Sequence, residues 1–244
     1  MKKIFNNTIL IASLVILISS CEQDNFTPPD AKFFGAMRDS IGGGLIETEL
    51  VNGSTIGAYE QGFETPVLQT WVIKESGEFR NNLVYSGTYN IQFASCNFFP
   101  YNVTGLIINK GENEHDFLVV PFIRIKNCNI THDAGTNRIN ASFTLEAGKP
   151  TVRAGSITLY AFTDIHVGSS IKFTIVAGSG QPTRNLGNAV INPETVYNLS
   201  IDLSANSTIF KTGRNYYFRV GAQGIKSGVG TVRPNFAPYV KITL

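Results

Sequence analysis

Hydrophobic and polar residues alternate with a period of two in short runs along most of this chain, and turn residues separate the runs. The first run is Ala31 to Met37. Thr55 to Tyr59, Leu68 to Lys74, Thr88 to Ala94, Val103 to Ile108 and Phe117 to Ile125 follow, with Gly42-Gly43-Gly44, Ser76-Gly77 and Asn109-Lys110-Gly111 as intervening turns. A second set opens after Lys126 with a polar stretch, Asn127 to Asn137, which reads as a linker or an opening edge strand. Ile139, Ala141, Phe143 and Leu145 then alternate cleanly, and Ser156 to Phe162, Ile171 to Val176, Val196 to Leu203, Tyr216 to Ala222 and Tyr239 to Leu244 complete the series. Strands with one buried face predict antiparallel sheets packed as a sandwich. The roughly 220 residues beyond the N-terminal apolar segment exceed one small sandwich. The expected fold is therefore all-β, with two consecutive β-sandwich domains over 31–126 and 127–244 and helix mainly in residues 1–20.

The N-terminus departs from this pattern. Lys2 and Lys3 precede an uncharged apolar run, Ile9 to Ile18, that ends in Ser19 and Ser20. This is the layout of a secretory signal, and the run is shorter than the ~20 residues a spanning helix needs. Ile18-Ser19-Ser20-Cys21 resembles the bacterial lipobox, which makes Cys21 the lipid-bearing first residue of the mature chain and the membrane a partner through that anchor. Residues 21–30, with Pro28-Pro29, then form a tether. Removing residues 1–20 takes two of the twenty Lys/Arg and none of the eighteen Asp/Glu, so the mature chain is formally neutral. Neutral balance without a basic cluster argues against a nucleic-acid partner. With Cys21 assigned to lipid, Cys96 and Cys128 are left outside the cytoplasm, either as a disulfide or as two buried thiols.

Candidate chemistry is sparse. His115, His132 and His166 lie far apart with no metal-binding or catalytic spacing, and no nucleophile elbow occurs. Glu47-Thr48-Glu49 offers two carboxylates for glycosidase-type chemistry but is expected to line a solvated edge. Gly111 to Asp116 is acidic enough for a hard cation and reads more simply as a charged hairpin tip. No pattern calls for a metal or a cofactor, and no catalytic residue is assigned. Aromatic side chains remain, since ring faces stack on sugars while nearby amides supply donors and acceptors. Phe98, Phe99, Tyr101 and Trp71, with Tyr59 behind them, are the candidate ligand-binding residues. Trp71 reads more simply as sheet core, and the ring-rich loop Ala94 to Asn102 equally as a contact between domains or a plug over the end of the first sandwich. A Cys96–Cys128 bridge would tie that loop to the domain junction; without one it is expected to face solvent.

Several segments are similar to known families. Arg38-Asp39, Ile46-Glu47-Thr48-Glu49, Tyr59-Glu60, Ser76-Gly77-Glu78-Phe79 and Gly87-Thr88-Tyr89-Asn90-Ile91 resemble, in that order, the carboxypeptidase-regulatory-like or transthyretin-like sandwich. With Asp116 to Ile125 they resemble a two-domain Bacteroidetes lipoprotein family of unknown function. Its second domain is immunoglobulin-like, and Tyr216 to Ala222 and Tyr239 to Ile242 match it; the former run also resembles a fibronectin type III strand. The resemblance implies an outer-membrane, lipid-anchored protein, with Glu22 and Asp24 resembling a surface-export signal for cell-surface display, often encoded beside SusC/SusD-type glycan-uptake pairs. It implies no catalytic residue. Asp39-Ser40-Ile41 resembles a Bacteroidetes O-glycosylation site at Ser40, or is a plain turn. The expected function is non-enzymatic binding of saccharide or an uptake partner, with a structural spacer or adhesin-like subunit and a glycan hydrolase as alternatives.

Overall fold

The computed structural model describes residues 27–244; the expected signal segment 1–20, the expected lipid-bearing Cys21 and the start of the expected tether lie outside the described residues. Sixteen strands build the described chain. The first sandwich uses β1 (Ala31–Asp39), β2 (Thr55–Glu60), β3 (Leu68–Val72), β4 (Glu78–Val84), β5 (Gly87–Gln92), β6 (Asn102–Ile108), β7 (Gly111–Glu114) and β8 (Phe117–Val119). Its sheets run β4-β1-β7, with β8 continuing beside β1, and β3-β2-β5-β6. The second uses β9 (Ile123–Asp133), β10 (Arg138–Ala147), β11 (Arg153–Phe162), β12 (Thr183–Val190), β13 (Val196–Asp202), β14 (Asn215–Ile225), β15 (Asn235–Phe236) and β16 (Val240–Thr243). Its sheets run β13-β10-β9 and β12-β11-β14-β15, with β16 also on β14.

Each sandwich closes over its own core, built from the inward set of the alternating positions. Phe33, Phe79, Tyr89, Phe93 and Phe117 fill the first, and Phe143, Leu145, Leu159, Ile201 and Phe218 the second. Tyr216, at the start of β14, donates its hydroxyl to the carbonyl of Ile209 at 2.9 Å and accepts from the Lys211 amide at 2.8 Å. That return bond is the tyrosine corner of immunoglobulin-type sandwiches.

The structure corrects several element expectations. The run Phe117 to Ile125 is divided: Phe117–Val119 pairs with β1, whereas Ile123 already pairs with Ala147 of the second domain. The chain crosses between sandwiches at Val120 to Phe122, and of the two readings of the polar stretch after Lys126 the edge strand holds, since most of it is the body of β9. Ile171 to Val176 is not a strand, although Ile171, Phe173 and Ile175 are each half-buried. Its alternation comes from side chains resting on the second core; Phe173 makes one ladder-like bond, to the carbonyl of Ala161.

Candidate functional site

The loop Ala94 to Asn102 lies at the junction of the two sandwiches, and it does so without a disulfide. Cys96 and Cys128 are both free. Burial pushes the Cys96 thiol up to about 12 and the Cys128 thiol up to about 11, so both stay protonated and unreactive near neutrality. Cys96 belongs to the first core and Cys128 packs against the second. The expectation that an unbridged loop faces solvent is therefore overturned, because hydrogen bonds rather than sulfur hold it.

Those bonds run residue by residue. The Arg233 amide donates to the Cys96 carbonyl at 3.0 Å, the Phe122 amide to the Asn97 carbonyl at 3.0 Å, and the Phe99 amide to the Val120 carbonyl at 2.9 Å. Asn97, fully buried, donates through Nδ2 to the Glu47 carbonyl at 2.6 Å, and its Oδ1 accepts from Ser54 Oγ at 2.9 Å. Its carbonyl also accepts from Asn235 Nδ2 at 2.8 Å, while Asn235 Oδ1 accepts from the Ile123 amide at 2.9 Å. Two side-chain amides thus satisfy backbone groups that a domain contact would otherwise strand away from water.

The four aromatic candidates separate accordingly. Phe98 is wholly buried, edge-on to Phe93 at 5.4 Å, and Trp71 is buried between Phe33 and Tyr89 at 5.7 Å from each. Both are core, and neither offers a ring face to a ligand. Tyr101 stacks on Phe93 at 5.0 Å, and burial pushes its hydroxyl up to about 12. Phe99 bridges to the second domain, 4.8 Å from Phe122, with Lys149 Nζ 4.2 Å over its ring. Of the four rings, Phe99 is the one that wedges against the second domain.

A second stitch, not anticipated from the sequence, centres on Arg219 of β14. Its fully buried guanidinium donates to Glu47 Oε2 at 2.5 Å, to the carbonyls of Thr48 and Ala237 at 2.8 Å each, and to the Glu75 carbonyl at 3.1 Å. The guanidinium carbon lies over the Phe236 ring, 4.6 Å from its centroid. Burial pushes the Glu47 carboxyl above the usual range despite the attraction of Arg219, and lowers Arg219 despite Glu47 and Glu75. Glu49 is also buried, accepting from Ser169 Oγ at 2.6 Å and the Ser170 amide at 2.8 Å. The segment Glu47-Thr48-Glu49 is thus not a solvated edge; its carboxylates are spent on the second domain. The only local signal for Arg219 is that β14 is apolar on both faces around a single charge.

Gly148 permits the close crossing of the linker over the β10–β11 turn, since a Cβ there would sit 1.7 Å from the Pro121 carbonyl oxygen. A third pair, Arg124 to Asp39, spans the same region with contacts of 2.5 and 2.8 Å. Burial opposes ionisation of Asp39, but the bonds from Arg124 and the Ile41 amide outweigh it and hold the carboxyl below its usual value. Beside this pair opens a cleft of about 270 Å³, rimmed by Ile41, Leu45, Lys126 and Pro238. It falls just under the roughly 300 Å³ at which ligand pockets begin, and Asp39, Arg124 and Glu47 on its wall are already paired. Ser40, between Asp39 and Ile41 of the lining, is exposed in a turn closed by the Ile41 amide on Asp39.

The remaining candidate chemistry is dispersed. His115 packs against Phe117 in the first domain, and His166 Nδ1 lies 3.5 Å from Glu75 Oε2 without forming a hydrogen bond. Glu112 pairs with Lys32 and Arg80, and Asp116 with Arg38, so two of the three carboxylates in the acidic segment Gly111 to Asp116 are turned to basic side chains.

Comparison with known proteins locates this arrangement. No curated protein matches the chain. A Bacteroides uniformis protein described as a "putative carbohydrate binding protein" is 40% identical, with a TM-score of 0.84 over 88% of this chain and 100% of that one. DUF3823 family proteins of Parabacteroides merdae and Bacteroides ovatus, each 19% identical, share the fold with TM-scores of 0.69 and 0.67 over 89% and 88% of this chain and 100% of theirs. Residues 123–240 match the model of a domain of unknown function, DUF3823_C, and nearly coincide with the second sandwich. Two stitched sandwiches, the matched second domain and the similar Bacteroides protein together place this chain in the DUF3823 family.

Proposed function

We propose that this protein is a non-enzymatic, lipid-anchored component of the outer cell envelope that binds saccharide for a SusC/SusD-type uptake system. The observation that carries the reading is the 40%-identical relative, spanning 88% of this chain, whose description concerns carbohydrate binding. The junction supports a binding role over hydrolysis. Two-carboxylate glycoside chemistry needs a free acid and a free base or nucleophile facing one site. Glu47 and Glu49 are instead engaged by Arg219, Ser169 and Ser170. Anchoring through Cys21 rests on the apolar run and Ser19-Ser20-Cys21, and the exposed Ser40 hydroxyl is available for O-glycosylation.

A glycan array probed with the chain from Glu22 onward tests the binding, with retention of at least one glycan class and no turnover expected. Absence of any retention would remove the reading. Labelled palmitate should enter the wild-type chain and not Cys21→Ser, and protease added to intact cells should digest the protein if it stands on the outer face.

A further inference from the structure

The outward face of the β9–β10–β13 sheet carries an array of neutral hydrogen-bonding side chains. Register sets it out in two rows across the strands. Asn129, Ser142 and Asn198 form one row, and Thr131, Asn140 and Ser200 the next. Neighbouring strands lie ~4.8 Å apart and successive outward positions ~6.8 Å, so the six side chains tile a patch on the scale of a few pyranose rings. The patch is a shallow depression of about 300 Å³.

Three properties set this face apart from an ordinary solvated sheet. Asparagine is disfavoured in strands, where β-branched residues pack better, yet three occupy mid-strand outward positions here. Among the described residues none of the three amides hydrogen-bonds to another protein group; only Ser200 Oγ is engaged, by the Gln181 amide. Charge is confined to the margins, with Lys126 in the row on one side and Asp133, Arg138 and Asp202 on the other.

We infer that this face binds a neutral polysaccharide segment, an inference that rests on the saccharide-binding reading above and assigns it a site. A carboxamide both donates and accepts, as does each sugar hydroxyl, so a grid of amides and hydroxyls matches the edge of a glycan chain. The absence of cations from the patch excludes phosphate as its target, and the absence of aromatic, Met or Arg side chains is unlike the core of a protein interface. Each bond is exposed to water and individually weak, so recognition is multivalent along the chain of sugars.

The test is affinity electrophoresis of the full-length chain in detergent, through gels containing galactomannan, xylan, mixed-linkage glucan or, as the charged comparison, polygalacturonate. Retention by at least one neutral polysaccharide is expected. The double variant Asn140→Thr/Asn198→Thr should weaken it by about tenfold while the melting temperature holds or rises, threonine being the better strand residue. Retention unchanged in a folded double variant would overturn this site and leave the saccharide-binding reading standing. Retention by polygalacturonate alone would overturn the neutral class. No retention in any gel would remove both. Should the double variant fail to fold, Ser142→Ala, which deletes one central hydroxyl, takes its place with a smaller loss expected and unchanged retention counting against the site.

Discussion

Arg219 is the residue on which the junction turns. Removing one partner of a buried, hydrogen-bonded ion pair costs about 3–5 kcal/mol, because the other charge is left in a medium that cannot solvate it. Arg219→Met is expected to lose that amount in urea unfolding, and Glu47→Leu in the same chain to recover part of it, since an apolar pair of similar volume needs no charge compensation. Asp202 sets a different expectation. Its carboxylate accepts from Ser179 Oγ at 2.6 Å and from the Ser179 and Ala205 amides, and these bonds hold it well below the usual carboxylate range. A carboxyl depressed in the folded state stabilises above its unfolded value of about 3.9, and that contribution is lost as pH falls through the lower folded value. Asp202→Asn should therefore be less stable than wild type at pH 7, with the difference closing in unfolding curves measured below about pH 3. Glu47, raised by burial, acts with the opposite sign.

At the scale of elements, the ring-rich loop gives the clearest contrast. Phe98→Ala should cost about 3–5 kcal/mol as a cavity in a sealed core. Phe99→Ala should cost less, since its ring is half-buried, and neither should change saccharide retention in the folded protein. The edges of the sheets are also informative. β6 carries Gly105 at φ 70°, β9 Asn127 at φ 53°, and β12 Gly187 and Asn188 at φ 59° and 67°. The ladders of β5–β6, β9–β10 and β11–β12 all shift register. A kinked edge is a poor template for another chain. Sedimentation equilibrium is expected to report a monomer, against an adhesin-like subunit that assembles through its edges. Among the edge strands, β12 and β4 were not legible in the sequence. β12 has no fully buried residue, so it carries no period-two signal, and β4 is interrupted where its pairing with β1 slips.

For the whole molecule, domains joined by a short linker move relative to one another unless a substantial interface couples them. Here the Asn97–Asn235 amides, Arg219–Glu47 and Arg124–Asp39 couple them, and calorimetry should record one cooperative transition for both sandwiches. Arg219→Met is expected to divide it. A rigid pair would hold any glycan-binding face at a constant angle to the tether. The sequence by itself determined the all-β class, the two strand sets, most strands with a buried face, the formal neutrality of residues 21–244 and the lipobox-like N-terminus, because each is written in residues close together along the chain. Only the tertiary structure decided that Phe98 seals the first core while the ring of Phe99 wedges the junction, and that Glu47 and Glu49 are buried. Position 47 meets position 219 across 172 residues of chain. Burial between domains is a property of such distant pairs, and local alternation carries no information about them.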